Sequence, residues 1–197
     1  RCFAKFVHDQ RLTGKRDISV QTSNGRIMLK MRDDHAVEVD MGEPVLQPDQ
    51  VPFEATTQAP SYSLEQDGHN YTLGVVSMGN PHAVLVVDDV ASAPVFELGS
   101  KLEQHPRFPN KANIGFMQII DRNTIKLRVF ERGVGETKAC GTGACAAVVV
   151  GQQQGLLDTN VTTQLTGGNL AIQWQGPGHH LFMDGPATQV YEGQIKL

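Results

Sequence analysis

Residues 144–150 read Ala-Cys-Ala-Ala-Val-Val-Val, and no other feature narrows the available folds as much. The run continues in helical character to Gln154 and stops at Gly155. A helix without a polar face has to be buried on most of its sides. It is far too short to cross a bilayer, which takes about 18 or more apolar residues, and the sequence has no stretch of that length. The rest of the chain must therefore supply a cover for this helix.

Most of what surrounds it reads as short strands. Segments 18–23 and 26–31 flank Asn24-Gly25, and Gly167-Gly168 separates segments 161–165 and 170–174. Such pairs accept the positive φ of a tight turn and are strong hairpin signals. Asp33-Asp34 turns the chain into a third strand at 36–41. Further strands are expected at 71–76, 83–87, 114–120, 125–131, 181–183 and 188–191. Residues 42–60, rich in Pro, Gln and Thr, read as an irregular crossing between domains. Helical spacing appears at 2–11, with Phe3, Phe6 and Val7 on one side, and again at 95–105. Each helix carries small and apolar residues on most sides, which predicts burial. The fold class is α+β, an antiparallel-rich sheet with few helices. A helix followed by a hairpin occurs near both ends of the chain, a faint internal echo. The chain opens inside a helical pattern, at Arg1-Cys2-Phe3, which we read as truncation, proteolysis or restarted numbering.

A formal net charge of −4 with scattered basic residues argues against a nucleic-acid partner. Cys2, Cys140 and Cys145 are odd in number and few, which favours a reducing compartment over a disulfide-stapled fold. The histidines lack metal-ligand spacing. His179-His180 has neither accompanying cysteines nor a helical partner, so it is assigned to a loop.

Chemistry concentrates in Glu131-Arg132-Gly133-Val134-Gly135-Glu136-Thr137-Lys138-Ala139-Cys140-Gly141-Thr142-Gly143. A strand delivers Glu131 and Arg132, and the glycines make a loop whose amides can face a ligand. Cys140 stands where the buried helix begins. Unpaired N–H groups and partial positive charge there suit a carboxylate and would lower the thiol pKa toward thiolate. A thiolate placed against an acidic C–H can abstract its proton. A lone cysteine before a helix is more often a small core residue, but the linked pattern is much harder to explain by packing. Cys145, one turn further on, reads as packing. In Gly79-Asn80-Pro81-His82, Pro81 holds its neighbour extended, so Asn80 and His82 can point in fixed directions from a strand end. Asn113, at the start of another strand, could reach a ligand. Taken alone, each of these two segments reads as a turn.

Together these segments resemble the diaminopimelate epimerases over essentially the whole chain. The likeness is carried by Arg1-Cys2-Phe3-Ala4-Lys5-Phe6-Val7, Thr22-Ser23-Asn24-Gly25, Met41-Gly42-Glu43-Pro44, Ser77 to His82, Ala112-Asn113-Ile114-Gly115-Phe116, the Cys140 segment and Gly176-Pro177-Gly178. The resemblance implies two pseudo-symmetric domains, each with mixed or antiparallel sheet wrapped around a central helix. The first is truncated to residues 1–40 plus 187–197, and the second is complete at 41–186. It implies interconversion of L,L- and meso-diaminopimelate, in lysine and peptidoglycan precursor synthesis in the bacterial cytoplasm. It also implies no cofactor, no metal and a possible homodimer, while the lack of a long apolar stretch argues against a membrane span. In such enzymes two cysteines act on opposite faces of the α-carbon. Carried over, Cys140 is one of them, supported by Glu131 and His82. Asn80, Asn113 and Arg132 bind substrate, Arg132 through its distal carboxylate. The amides of Gly141 and Thr142 hold the α-carboxylate. Thr142 stands where many relatives have serine.

The family's other cysteine lies in a Cys-Gly-Asn-Gly-Ala segment, which does not occur in these 197 residues. Cys2 matches a cysteine further along that helix and is assigned to packing. The expectation is that the chain alone is inactive. Two other readings remain at this point: a related amino-acid racemase or isomerase of the same fold, and a non-catalytic ligand-binding fragment.

Overall fold

The apolar run forms the middle of α3 (Gly141–Gln153), and every residue from Gly143 to Gly151 is buried. The computed structural model describes residues 1–22, 25–34 and 36–195. It divides into two units, Arg1–Asp40 with Asp184–Leu197 and Met41–Met183.

In the first unit, α1 (Cys2–Asp9) precedes β1 (Asp17–Thr22), β2 (Gly25–Met31) and β3 (Val37–Asp40). β1 and β2 pair antiparallel from Asp17↔Lys30 to Thr22↔Gly25. The hairpin is the one Asn24-Gly25 predicts, although Asn24 lies outside the described residues. α1 buries Ala4 and Val7 but leaves Phe3 and Phe6 about half exposed. It is therefore amphipathic, contrary to the expectation of burial on most sides. Cys2 is exposed, so the packing role expected of it is not what the structure gives it. The strand expected at 188–191 is absent, and Val190 and Tyr191 face solvent.

The second unit holds β4 (Tyr62–Gln66), β5 (His69–Ser77), β6 (Pro81–Val86), α2 (Val95–Glu103), β7 (Asn113–Asp121), β8 (Thr124–Glu131), β9 (Gly135–Thr137), α3, β10 (Asn160–Leu165), β11 (Gly168–Trp174) and the Leu181-to-Met183 part of β12 (Leu181–Gly185). Its strands lie in the order β12-β11-β10-β8-β7-β6-β5-β4, with β9 added on β8. The β6–β7 and β10–β8 pairs are parallel. β4 and β9 were not apparent from sequence. β4 is closed onto β5 by Asp67-Gly68, both at positive φ.

Side chains alternate across a strand, and here they sort between two helices. Leu73, Val75, Ala83, Leu85, Ile114, Phe116 and Phe130 join the cluster that contains Val95, Leu98 and Leu102 of α2. The intervening positions, including Gly74 and Val129, meet α3. α2 is amphipathic too, with Phe96 exposed. Among the described residues only α3 is enclosed as the sequence led us to expect of every helix. Among the described residues no helix is long and apolar enough to cross a membrane.

Candidate active site

The sheet register gathers the candidate residues at one end of the α3-facing surface. His82 lies opposite Asn113 on neighbouring parallel strands. β8 runs antiparallel to β7, so its last residue, Glu131, arrives at the same end. β9 then folds back with Glu131 opposite Gly135 and Val129 opposite Thr137, and the chain passes from β9 to Cys140.

Cys140 is the N-cap of α3, in extended conformation at φ −133°, ψ 108°. Its carbonyl accepts the Ala144 N–H at 2.9 Å, which starts the helix. Its Sγ lies 3.7 Å from Thr142 Oγ1, and the Gly143 amide is near enough to favour the thiolate, although the side chain makes no cap hydrogen bond. Gly143 is needed for this close approach: a Cβ there would stand 3.0 Å from Val129 Cγ2 and 3.2 Å from Cys140 Sγ. The N–H groups of Gly141 and Thr142 belong to the first turn and have no intrahelical acceptor. No acidic side chain occupies that turn to quench them.

The thiol pKa departs from expectation. Burial pushes it up from an ordinary 9.0 to about 11. The Thr142 hydroxyl and Gly143 amide pull it down by less, and the Glu131 carboxylate raises it further. Cys140 is 5% exposed. Desolvation penalises the anion, and this enclosed setting favours the thiol form of Cys140. Glu131 is held in turn by the Thr137 hydroxyl, which donates to its Oε1 and also contacts the Ala139 carbonyl.

His82 is buried, and its Nε2 is 3.0 Å from Asn80 Oδ1. Burial first, then the Arg132 cation, lowers its pKa to about 3. The ring is therefore favoured in its neutral form, beside Asn80. Asn113 is more occupied than its sequence position suggested. Its Nδ2 donates to the Pro81 carbonyl and its Oδ1 accepts the Arg132 N–H, both at 3.0 Å. It ties the start of β6 to the end of β8. Arg132 is exposed, with Nη1 donating to the Asn110 carbonyl at 2.9 Å. Cys145 is buried within α3, and His179 and His180 lie in a loop. Among the described residues no cluster of three potential metal ligands occurs.

Sequence reading missed Gly167. Its N–H donates to the Lys138 carbonyl at 2.7 Å. A Cβ on it would lie 2.9 Å from that oxygen and 3.2 Å from Ala139 Cβ. The β10–β11 turn thus rests directly on the two residues that precede Cys140. Gly167→Ala should push that segment away, costing about 1–3 kcal/mol and speeding alkylation of Cys140. Denaturant titration and thiol labelling check this, and unchanged values in both would remove Gly167 from the site's support.

Comparison with solved structures defines the class of fold. A probable proline racemase from Agrobacterium radiobacter K84 superposes with a TM-score of 0.74 at 15% identity, over 100% of this chain and 66% of that one. A Bacillus anthracis phenazine biosynthesis protein of the PhzF family gives 0.63 at 11%, over 98% and 73%. The diaminopimelate epimerase family profile matches residues 74–190. Diaminopimelate epimerases of Pseudomonas syringae pv. tomato and Stutzerimonas stutzeri are each 56% identical over all 197 residues, which span 71% of either relative. The chain belongs to the diaminopimelate epimerase family, and so among the amino-acid epimerases, which are isomerases.

Proposed function

We propose that this chain carries one acid–base face of a site that interconverts L,L- and meso-diaminopimelate, with Cys140 as the proton-transferring group. The observation that carries the reading is Cys140 capping an enclosed helix, beside a carboxylate and below two amides without intrahelical acceptors. The Gly141 and Thr142 N–H groups suit the substrate α-carboxylate. Negative charge that builds as the α-proton leaves spreads onto that carboxylate, where amides and helix terminus oppose it. A base on the far face takes the α-proton, and Cys140 Sγ–H delivers one to the near face, leaving a thiolate. In the reverse direction that thiolate takes the proton back. Asn80, oriented by His82, and Glu131 suit the α-amino group, and Arg132 the distal carboxylate. Asn113 acts through the Arg132 backbone it holds.

By family resemblance the opposite base lies in the Cys-Gly-Asn-Gly-Ala segment. In this reading Met41–Met183 corresponds to the second domain of the family, and the other unit to part of the first. Dependence on reduced Cys140 favours a reducing compartment, the bacterial cytoplasm.

Deuterium incorporation at the α-carbon of both isomers in D₂O, under reducing conditions and with verified intact mass, tests this. The expected result is no inversion by the 197-residue chain alone, together with protection of Cys140 from alkylation by diaminopimelate. Exchange that persists undiminished in Cys140→Ala would show that another group transfers the proton. Failure of diaminopimelate to protect Cys140 would remove the substrate from this helix start.

A further inference from the structure

We infer that Glu103 is a positioning residue that sets the turn carrying Arg132, and through it the grip on the distal end of the substrate; this rests on the function proposed above. Glu103 ends α2 and is the buried carboxylate among the described residues, at 8% exposure. Its Oε1 accepts the Gly133 N–H at 2.8 Å and lies 3.5 Å from Lys111 Nζ. Its backbone carbonyl accepts the Ala112 N–H at 3.0 Å, just before Asn113. One residue therefore joins the C-terminus of α2, the entry to β7 and the turn after β8.

That turn is held amide by amide. Arg132 N–H goes to Asn113 Oδ1, Gly133 N–H to Glu103 Oε1, and Val134 N–H to the Glu131 carbonyl at 3.0 Å. Gly133 sits at φ +73°, so the backbone reverses here and its amide points inward onto Glu103. Without that acceptor the Gly133 N–H, in a turn whose residues are exposed, would turn to water instead, and the turn would lose the bond that ties it to α2. A buried carboxylate is expensive to desolvate, and a neutral amide could accept the same bond at lower cost. What the charge adds is a stronger, directional hold on the peptide next to Arg132. The first turn of α3 has its own supports at Val129 and Gly167, so Glu103 should govern the distal carboxylate and not the α-carboxylate.

Amide NMR titrations of the ¹⁵N-labelled 197-residue chain test the division. The probes are meso-diaminopimelate, which has both ends, and 2-aminobutyrate, which has only the α end. In Glu103→Ala the affinity for diaminopimelate should fall about tenfold, the order expected for one charge-assisted hydrogen bond. The affinity for 2-aminobutyrate, read at Gly141 and Thr142, should stay within about twofold of the unsubstituted chain. Glu103→Gln keeps an acceptor without the charge, should recover only part of the loss, and carries the test if the alanine variant does not fold. Equal losses for both probes, or no loss for either, would overturn the inference. If neither probe shifts Gly141 or Thr142 in the unsubstituted chain, the proposed function fails instead. Amide exchange then decides the positioning claim. Faster exchange confined to Arg132, Gly133 and Val134 in the variants sustains it, and unchanged exchange there ends it.

Discussion

At pH 8, alkylation of Cys140 by a small haloacetamide should run at least about tenfold slower in the folded chain than in the same chain denatured. The pKa near 11, against an ordinary 9.0, leaves about a hundredfold fewer thiolates. A more basic thiolate is also more nucleophilic, which returns somewhat less than tenfold. Burial then limits access of the reagent and moves the rate down again. Cys2, exposed on α1, is the internal control. The sign of the pH effect follows from the same shift. A folded-state pKa above the unfolded one favours the folded state while the thiol is protonated. That contribution is fully present below pH 9 and is lost as pH rises through about 11. Labelling at pH 8 as fast as in the denatured chain would mean that the helix terminus wins over burial and that Cys140 rests as the base.

A resting thiol suits a proton donor for a reason visible around it. A thiolate at rest would put two anions together, because Glu131 contributes repulsion at the same sulfur. In the proposed reaction, the thiolate left when Cys140 gives up its proton would find the Thr142 hydroxyl and the Gly143 amide beside it. Glu131 meanwhile favours its reprotonation. The environment thus tolerates the anion briefly without making it the ground state, as an acid–base group working in both directions requires.

The parts of this site that could be read from sequence are those set by neighbours in the chain. Residues 144–150 had to be enclosed because no polar face existed, and the start of α3 followed from the glycines before it. The hairpins around Gly167-Gly168 and Asn24-Gly25 followed from turn chemistry. What could not be read depends on distant partners. β9 is three residues long and glycine-led. Its partner strand and the bidentate pair of Glu136 with Arg128, at 2.9 and 2.6 Å, lie outside any local pattern. Arg128 is fixed in turn by the carbonyls of Val90, Ala91 and Ala93. The upward push on the thiol pKa was not legible because the burial that causes it is a tertiary effect. Phe3 and Phe6 looked like core by spacing, yet α1 turns Ala4 and Val7 inward.

The second large effect is expected far from Cys140, at Gly74 in β5. A Cβ there would stand 2.4 Å from Val150 Cγ1, 2.8 Å from its Cγ2 and 3.1 Å from its Cβ. Swinging Val150 aside is not an easy remedy, because a valine in a helix has essentially one χ1 rotamer and this one is buried. Gly74→Ala must therefore lift α3 from the sheet or bend β5, at a cost of about 3 kcal/mol. That corresponds to a fall of about 6–12 °C in melting temperature for a chain of this size. The α3 helix carries the Cys140 N-cap on its first turn, so the same substitution should raise the labelling rate of Cys140. Val150→Ala alone removes two buried methyl groups and should cost about 1–3 kcal/mol. Combined with Gly74→Ala, it vacates the space the new methyl needs, so the double variant should be more stable than the sum of the single losses predicts. Strict additivity in that cycle would mean that the helix and the strand do not meet at these two residues, and the close approach of α3 to β5 would have to be given up.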